Sequence, residues 1–484
     1  MQKIDDIRSL AIRKAIANIH NRAEQINDQI SINSVYVDCG ILDRLTANKN
    51  EIITGRRGTG KTHLLMAYGQ KEFINAEEKI RFCYIDCRML DSGLLSGGTP
   101  GAEHSSLVFR RILQAVNEFL LKESALLETP DSRREAKLIE KLSQFNNVYQ
   151  EYLDKKASVE PGRLIAILEE ILDGLDCNKL VVALDEWVAI PEGTQPFLAE
   201  RIKRFFIPSK KVRFKIAVVD YRTLMRTEIN GSWIGLEKGA DIFCDIDLDD
   251  YLVYDRDKQH VEFLFAQILF NHIFISLPEK NDLLALSPKE KASCIESTFF
   301  SRREAFVELV RAGEGVVRDF LKIFSNAYFT HFFPNQDKNK IAINDIRNGA
   351  RDWYQKDKVD AIKGQGLEKC LGTVISEVIG ARKARTFMVE QGLSQHPVLQ
   401  KLFEARLLHL LRKGWSHKTE PGRRYDLFTI DYGAYVELIN TKSCPQLDLF
   451  DNSKDTEDVV PFDDKRSIRR IVLTGEMLEK FHDR

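Results

Sequence analysis

The sequence predicts an α/β protein with a parallel sheet, followed by an all-helical region and a helix-and-hairpin module. Short, nearly continuous apolar segments alternate with helical patterns in the first half of the chain, as in a parallel sheet covered on both faces. From residue 257 the apolar positions follow a helical period alone. Near residue 421 a Pro-Gly pair separates two alternating segments, which predicts a hairpin.

Length and composition predict a globular protein with several domains. A chain of 484 residues, with 43% hydrophobic residues and a net charge of -1, has no signature of disorder. Nucleic-acid contact would therefore need local basic patches. The eight cysteines form no Cys-x-x-Cys pair, which indicates reduced thiols. With neither a signal core nor a long apolar window, we expect a cytoplasmic protein without membrane contact.

Five segments are predicted as strands of the sheet: 51–54, 80–86, 179–185, 214–220 and 240–248. The predicted domains are an N-terminal helix at 1–30, an α/β domain at 31–256 with a helical insertion at about 91–158, a helical region at 257–363, a winged-helix module at 364–442, an acidic linker at 443–464 and a strand and helix at 465–484.

The segment GRRGTGKT matches the phosphate-binding pattern G-x-x-x-x-G-K-[ST] and lies between a predicted strand and a predicted helix. In such a loop the backbone N–H groups surround the phosphates, Lys61 reaches the β and γ phosphates, and the Thr62 hydroxyl serves Mg²⁺. The alternative is a glycine turn that ends in Lys-Thr by chance. The predicted ATP-binding residues are Gly55, Arg56, Arg57, Gly58, Thr59, Gly60, Lys61 and Thr62.

A second acidic element follows the predicted strand LVVALDEW. Asp185 is expected to orient Mg²⁺ together with Thr62, and Glu186 to act as general base on the attacking water. An apolar strand that ends in Asp-Glu could also be an ordinary strand end. Two further catalytic candidates are Asp220, at the end of the neighbouring strand, and Arg318, at the start of a helix after Gly315; the alternative for Arg318 is a solvated arginine.

Taken together, these motifs and their order resemble the AAA+ ATPases of the origin-recognition initiator type, over roughly residues 30 to 440. The resemblance implies that Arg318 is the lid sensor and that Asp220 stands where the first sensor, usually Asn or Thr, is found. It also implies an oligomer in which a neighbouring subunit supplies an arginine. Candidates for that arginine are Arg201, Arg204, Arg213 and Arg226.

The C-terminal module is predicted to contain a long helix at 397–413 that ends at Gly414, followed by a basic hairpin. Lys418, Arg423 and Arg424 at its tip are expected to contact DNA phosphates. Further cations are expected at the start of a nearby helix: Arg382, Lys383 and Arg385. The alternative is a protein-binding winged helix with a solvated tip.

The segment QLDLF precedes a polar, acidic stretch that is not expected to fold by itself. It resembles the peptide with which many bacterial replication and repair proteins bind the sliding clamp. On that interpretation the clamp-binding residues are Gln446, Leu447, Leu449 and Phe450. The alternative is an edge strand of the preceding domain.

These patterns favour an ATP-hydrolysing switch that binds DNA and acts in replication, repair, transposition or defence against foreign DNA. Two rivals remain: a signalling ATPase whose winged helix contacts no DNA, and an assembly scaffold that does not hydrolyse ATP.

Overall fold

The computed structural model describes residues 6–19, 32–74, 78–90, 100–126, 132–153, 160–254, 256–277, 283, 285–364, 367–380, 385–416, 422–439 and 471–476. These residues form two units. Unit 1 comprises the described residues of 1–37, 56–60 and 249–484, and unit 2 comprises those of 38–55 and 61–248.

The strands, in chain order, are β1 Glu51–Thr54, β2 Ile80–Asp86, β3 Lys179–Asp185, β4 Val212–Ala217, β5 Arg226–Ile229, β6 Ser232–Gly235, β7 Phe243–Asp247, β8 Thr386–Glu390, β9 Leu408–Ser416, β10 Arg424–Ile430 and β11 Val472–Leu473. The α-helices are Leu10–Ala17, Ile32–Val35, Lys61–Ile74, Ala102–Ala125, Ser132–Leu153, Pro161–Gly174, Gln195–Phe206, Asp249–Leu252, Lys258–Phe274, Pro288–Phe299, Arg303–Ala312, Val317–Asn326, Ile343–Trp353, Leu367–Ile375, Pro397–Glu404 and Tyr432–Ile439. None of these described helices is long and apolar enough to cross a membrane.

Unit 2 is built on a five-stranded sheet with the order β2-β3-β4-β1-β7. Every neighbouring pair of strands is parallel, which confirms the predicted α/β class. The apolar run Leu180–Leu184 is fully buried because β3 lies inside the sheet and has neighbours on both edges. Parallel strands all end at one edge, so the carboxyl ends of β1 and β3 carry the P-loop and Asp185 to that edge.

The helical insertion packs on the same core. The helix Ala102–Ala125 buries Phe109, which contacts the rings of Phe205 and Phe206 at centroid distances of 5.2 and 5.8 Å. Strands β5 and β6 form an antiparallel hairpin, separate from the main sheet, that the sequence analysis did not predict.

Unit 1 contains the predicted helical region and a second, four-stranded sheet with the order β11-β8-β10-β9. Strands β8, β10 and β9 pair antiparallel, while β11 pairs parallel with β8. Strands β9 and β10, on either side of the Pro-Gly pair, therefore pair antiparallel as the predicted hairpin requires, and β11 lies within the predicted C-terminal segment 465–484. The predicted clamp-binding segment 446–450 lies outside the described residues, as does Lys418.

Three predicted elements were wrong in extent or type. The N-terminal helix Leu10–Ala17 ends at its C-cap Asn18 instead of continuing, and residues 1–5 and 20–31 lie outside the described residues. The helix predicted over 397–413 ends at Glu404, after which Arg406 takes a left-handed conformation with φ 61°. The residues that follow form β9, which pairs antiparallel with β10 and whose first four residues are all buried. The helix predicted after residue 385 is strand β8.

Candidate functional site

The backbone of the P-loop depends on glycine at two positions. Gly58 has φ 85° and Gly60 has φ 101°, both in the left-handed region that glycine occupies without strain. A Cβ atom on Gly58 would lie 2.9 Å from Val316 Cγ1 and 3.0 Å from Arg318 Cβ. The amide of Arg318 donates to the Gly58 carbonyl at 3.1 Å. The predicted lid sensor thus begins a helix that packs directly on the P-loop tip.

The functional groups of the P-loop lysine and threonine already have partners in unit 2. Lys61 Nζ donates to the Gly55 carbonyl at 2.7 Å, closing the loop on itself. Thr62 Oγ1 donates to Asp185 Oδ2 at 2.6 Å. The hydroxyl of Tyr84, on the adjacent strand β2, donates to the same oxygen at 2.9 Å. The structure therefore brings the P-loop threonine and the acidic end of β3 together.

Tyr84 is a site residue that the sequence analysis missed. Its position two residues before the end of β2 places it beside β3, where residue 84 is in register with Ala183. The signal was available, because β2 and β3 were both predicted and a tyrosine hydroxyl near the carboxyl end of a parallel strand can reach the end of its neighbour.

The oxygen atoms at this place suit a magnesium ion. Mg²⁺ prefers hard oxygen ligands and binds nucleotide sites through one or two protein groups together with phosphates. Thr62 and Asp185 supply a hydroxyl and a carboxylate, and Asp185 is only 1% exposed. The donor set therefore fits the ion that a P-loop nucleotide carries.

Glu186 has a strained backbone. Its φ of 52° and ψ of 42° are left-handed, a conformation that costs a non-glycine residue about 1–3 kcal/mol. Its amide donates to Asp185 Oδ1 at 2.8 Å, and the fully buried Trp187 follows it. Because both neighbours are fixed, the turn holds the Glu186 carboxylate at the end of β3 and half-buried. Strain of this kind is common where a side chain is directed by function.

Asp220 lies three residues beyond its strand. The predicted strand 214–220 is observed as β4, which ends at Ala217, and Tyr221 takes a left-handed φ of 63°. Asp220 is half-buried in this turn. Arg222 pairs with Glu192, with 3.2 Å between Nε and Oε1.

Arg56 was predicted to bind phosphate, but its donors are engaged within unit 1. The side chain is 2% exposed. Its Nε lies 2.8 Å from Asp249 Oδ1, its Nη1 2.8 Å from His409 Nδ1, and its Nη2 2.7 Å from the Glu314 carbonyl oxygen. Its backbone N–H donates to Asp249 Oδ2 at 3.2 Å. The guanidinium is therefore an anchor of the P-loop in unit 1.

The two contacts of His409 fix its protonation state. A guanidinium can only donate, so Nδ1 must accept from Arg56 and cannot carry a proton. The proton is on Nε2, which lies 3.1 Å from Asp431 Oδ2 and donates to it. Burial lowers the pKa of His409 to about 4; Asp431 opposes that shift, and the nearby charges of Arg56 and Lys358 reinforce it. His409 is thus neutral at physiological pH.

Next to His409, and connected to it through Asp431, lies a cluster of buried charges in unit 1. The ammonium of Lys358 is 2.9 Å from Asp319 Oδ2 and also contacts Asp431. Arg406 contacts both Asp319 and Asp357. Burial lowers the pKa of Lys358, but the two aspartates outweigh that effect, so its net shift is upward. Every member of the cluster has a partner of opposite charge.

The neutral state of His409 predicts a pH-dependent stability. The unfolded histidine binds a proton below its usual pKa of about 6.5, whereas the folded one binds only near 4. The unfolded state therefore takes up more protons between these values, and the free energy of unfolding falls by up to ~3 kcal/mol as the pH drops from 6.5 to 4. Above 6.5 this contribution is complete.

Urea unfolding of the wild type and of His409→Asn at several pH values measures this effect. The difference in free energy between the two proteins should shrink as the pH falls. A difference that is constant over this range would show that His409 does not fold as the neutral form.

No protein-family model matches the chain, and no curated protein sequence matches it. The chain is similar to solved proteins of the origin-recognition type. Cdc6p from Pyrobaculum aerophilum matches with a TM-score of 0.35 and 12% identity over 89% of this chain and 97% of that one.

A second structure is ORC from Drosophila bound to DNA, with a TM-score of 0.33 and 11% identity over 90% of this chain and 95% of that one. A third is ORC1 from Aeropyrum pernix in complex with DNA, with a TM-score of 0.33 and 11% identity over 88% of this chain and 95% of that one. Because identities and TM-scores are low, the roles of individual residues rest on the geometry of this chain.

The four arginines considered for an intersubunit contact differ in their surroundings. Arg201 donates to Ser105 and Ser106, and Arg213 donates to backbone oxygens including those of Asn48 and Ser209. The side chain of Arg204 is 67% exposed and pairs with Glu200 one turn earlier on its helix. Arg226, on β5, lies 4.5 Å above the ring of Trp233.

The described cations of the C-terminal module differ in their exposure to solvent. Arg423 and Arg424 are exposed beside the hairpin turn, and Arg424 donates to the Gly414 carbonyl at 3.3 Å. Arg385, predicted at the start of a helix, is buried, ion-paired with Glu314 and followed by strand β8. Arg382 and Lys383 lie outside the described residues.

Proposed function

We propose that the protein is an ATP-binding and ATP-hydrolysing AAA+ switch that binds DNA through its C-terminal module. The observation that carries the proposal is the contact of 2.6 Å between the P-loop hydroxyl of Thr62 and the carboxylate of Asp185. A glycine-lined loop, a lysine and an acidic strand end are the parts that phosphoryl transfer requires, since that reaction depends on positioning and charge stabilisation.

Each predicted site residue has a distinct role in this proposal. Lys61 binds the β and γ phosphates, and Thr62 and Asp185 hold Mg²⁺, which when bound neutralises the charge that develops on the phosphates. Tyr84 fixes the Asp185 carboxylate through its 2.9 Å hydrogen bond. Glu186 accepts the proton of the attacking water. Asp220 and Arg318 are the proposed sensors, and an exposed arginine, Arg204 or Arg226, is the group offered to a neighbouring subunit.

Calorimetry with the full chain tests the nucleotide site. The wild type should bind ATP in the presence of Mg²⁺, and Lys61→Ala should bind about 10- to 100-fold more weakly, because it removes a charge-assisted bond to phosphate. Lys203→Ala is a matched control, since Lys203 pairs with Asp241 on the surface at 2.6 Å. If the wild type gave no heat with ATP, the proposal would fail.

Salt-dependent DNA binding separates the DNA-binding switch from the signalling rival. Replacing Arg423 and Arg424 together by glutamine should weaken binding to duplex DNA and reduce the slope of log affinity against log salt by roughly two, because each arginine is expected to neutralise one phosphate. The control replaces Arg110 and Arg111, two arginines on the helix Ala102–Ala125. An unchanged slope in the Arg423/Arg424 variant would favour the rival without DNA contact.

The sliding clamp stays a prediction from the segment QLDLF. Replacing Leu449 and Phe450 by alanine tests it, because these apolar side chains would fill the pocket of the clamp.

A further inference from the structure

The second residue of the P-loop is held in place by a residue from the far C-terminal part of the chain. Residues 56–60 group with unit 1, whereas Gly55 and Lys61 group with unit 2. Arg56 and His409, which meet at 2.8 Å, are separated by 353 positions in sequence. His409 lies on β9 of the four-stranded sheet. This contact ties the sheet directly to the loop that is proposed to hold phosphate.

The position of Arg56 also sets the shape of the loop. Its carbonyl oxygen accepts from Thr59 Oγ1 at 2.8 Å and from the Thr59 amide at 3.4 Å. The turn 56–59 is thereby closed on Arg56, while the Arg56 amide is directed at Asp249. A displacement of the guanidinium would move this turn, and with it the amides that face a bound phosphate.

His409 is the neutral member of the group that holds the guanidinium. Asp249 supplies a carboxylate and Glu314 a backbone carbonyl, whereas His409 supplies one ring nitrogen whose orientation depends on Asp431. His409 is 0% exposed, so water cannot replace it as the acceptor. The contact between Arg56 and His409 therefore forms only when β9 is packed in its place within unit 1.

We propose that His409 is a positioning residue for nucleotide binding, which acts by accepting a hydrogen bond from Arg56 and so couples the seating of the C-terminal sheet to the conformation of the P-loop. This inference rests on the proposed function and adds to it the group through which the C-terminal module affects the nucleotide.

Two near-isosteric replacements separate the two contacts of the ring. Asparagine places its Oδ1 where Nδ1 stands, so His409→Asn keeps the acceptor for Arg56 and removes the donor to Asp431. Glutamine places its terminal amide near Nε2, so His409→Gln keeps the bond to Asp431 and removes the acceptor for Arg56. Each variant lacks one hydrogen bond of the wild type, and a purely structural role predicts that they behave alike.

The measurement is the affinity of the full chain for ATP and for ADP, by calorimetry. His409→Asn should bind within about twofold of the wild type, and His409→Gln should bind about tenfold or more weakly. The same exchanges at His104 are the control, because this buried histidine of unit 2 contacts Thr194 at 3.0 Å and has no part in the P-loop. Neither His104 variant should change the affinity.

These measurements test the positioning role of His409 separately from the proposed function. If the wild type binds nucleotide, Lys61→Ala binds it more weakly, and the two His409 variants have equal affinities, the positioning role is overturned and the proposed function stands. If the wild type binds no nucleotide, both are overturned.

If His409→Gln does not fold, a substitution of Arg56, the other partner in this contact, tests the same inference. Arg56→Lys retains the positive charge but offers one ammonium in place of a fork that has three partners. Nucleotide affinity should fall about tenfold in the folded variant. Wild-type affinity in Arg56→Lys would overturn the inference.

Discussion

Glu186→Gln should bind ATP as tightly as the wild type and hydrolyse it about 10²- to 10⁴-fold more slowly. The exchange removes the proton-accepting oxygen and preserves the size and hydrogen-bonding length of the side chain. Glutamine is also compatible with the local backbone about as well as glutamate, because both must take the left-handed φ of 52° that residue 186 adopts. The amide of residue 186 can still donate to Asp185, so the carboxylate proposed to hold Mg²⁺ keeps its orientation.

Two assays on the same preparation test this expectation: phosphate release at saturating ATP, and ATP affinity by calorimetry. Glu170→Gln is the matched control, because Glu170 is 51% exposed and pairs with Lys141 on the surface of the same unit. Hydrolysis at the wild-type rate by Glu186→Gln would defeat its assignment as general base. A loss of binding in that variant would instead indicate a role in holding the nucleotide.

Lys358→Met should lower the free energy of unfolding by about 3–5 kcal/mol, because it leaves two buried carboxylates without their shared cation. Lys358 is 2% exposed, and both Asp319 and Asp431 are 1% exposed. Asp319 would keep Arg406, and Asp431 would keep the His409 N–H, so the variant removes one cation from a connected cluster. Methionine fills a similar volume, which limits the contribution from a cavity.

Urea unfolding at neutral pH measures the effect. Lys363→Met is the control, because Lys363 also pairs with an aspartate, Asp360, but its side chain is 63% exposed. Exposed pairs of this kind contribute little to stability, so the control should unfold close to the wild type. Equal stabilities of Lys358→Met and Lys363→Met would show that the buried cluster does not stabilise unit 1.

Much of unit 2 could be predicted from local sequence. Strand β3 was predicted at the residues it occupies, because a strand with neighbours on both edges in a covered sheet must be apolar throughout and stands out from its surroundings. The P-loop was found because its chemistry requires fixed residue types at fixed spacing. Thr62 and Asp185, which were both predicted to serve Mg²⁺, lie within hydrogen-bond distance of each other.

Prediction failed where one pattern allows two structures. The apolar residues of the segment 397–413 satisfy a helical period, yet the helix ends at Glu404 and β9 follows. Pairing with β10 decides between helix and strand, because β9 forms an antiparallel ladder with β10 from Leu408 to Ser416. A period within one segment contains no information about a partner strand elsewhere in the chain.

What the sequence by itself determined is the chemistry of a phosphate loop and an acidic strand end on an α/β sheet, because those features are local and their spacing is set by the reaction. What only the tertiary structure decided is the use made of Arg56. The motif leaves that position open to any residue, and its partners Asp249, Glu314 and His409 come from distant parts of the chain. Only folding brings those groups together, because the contact depends on how unit 1 packs and on no pattern along the chain.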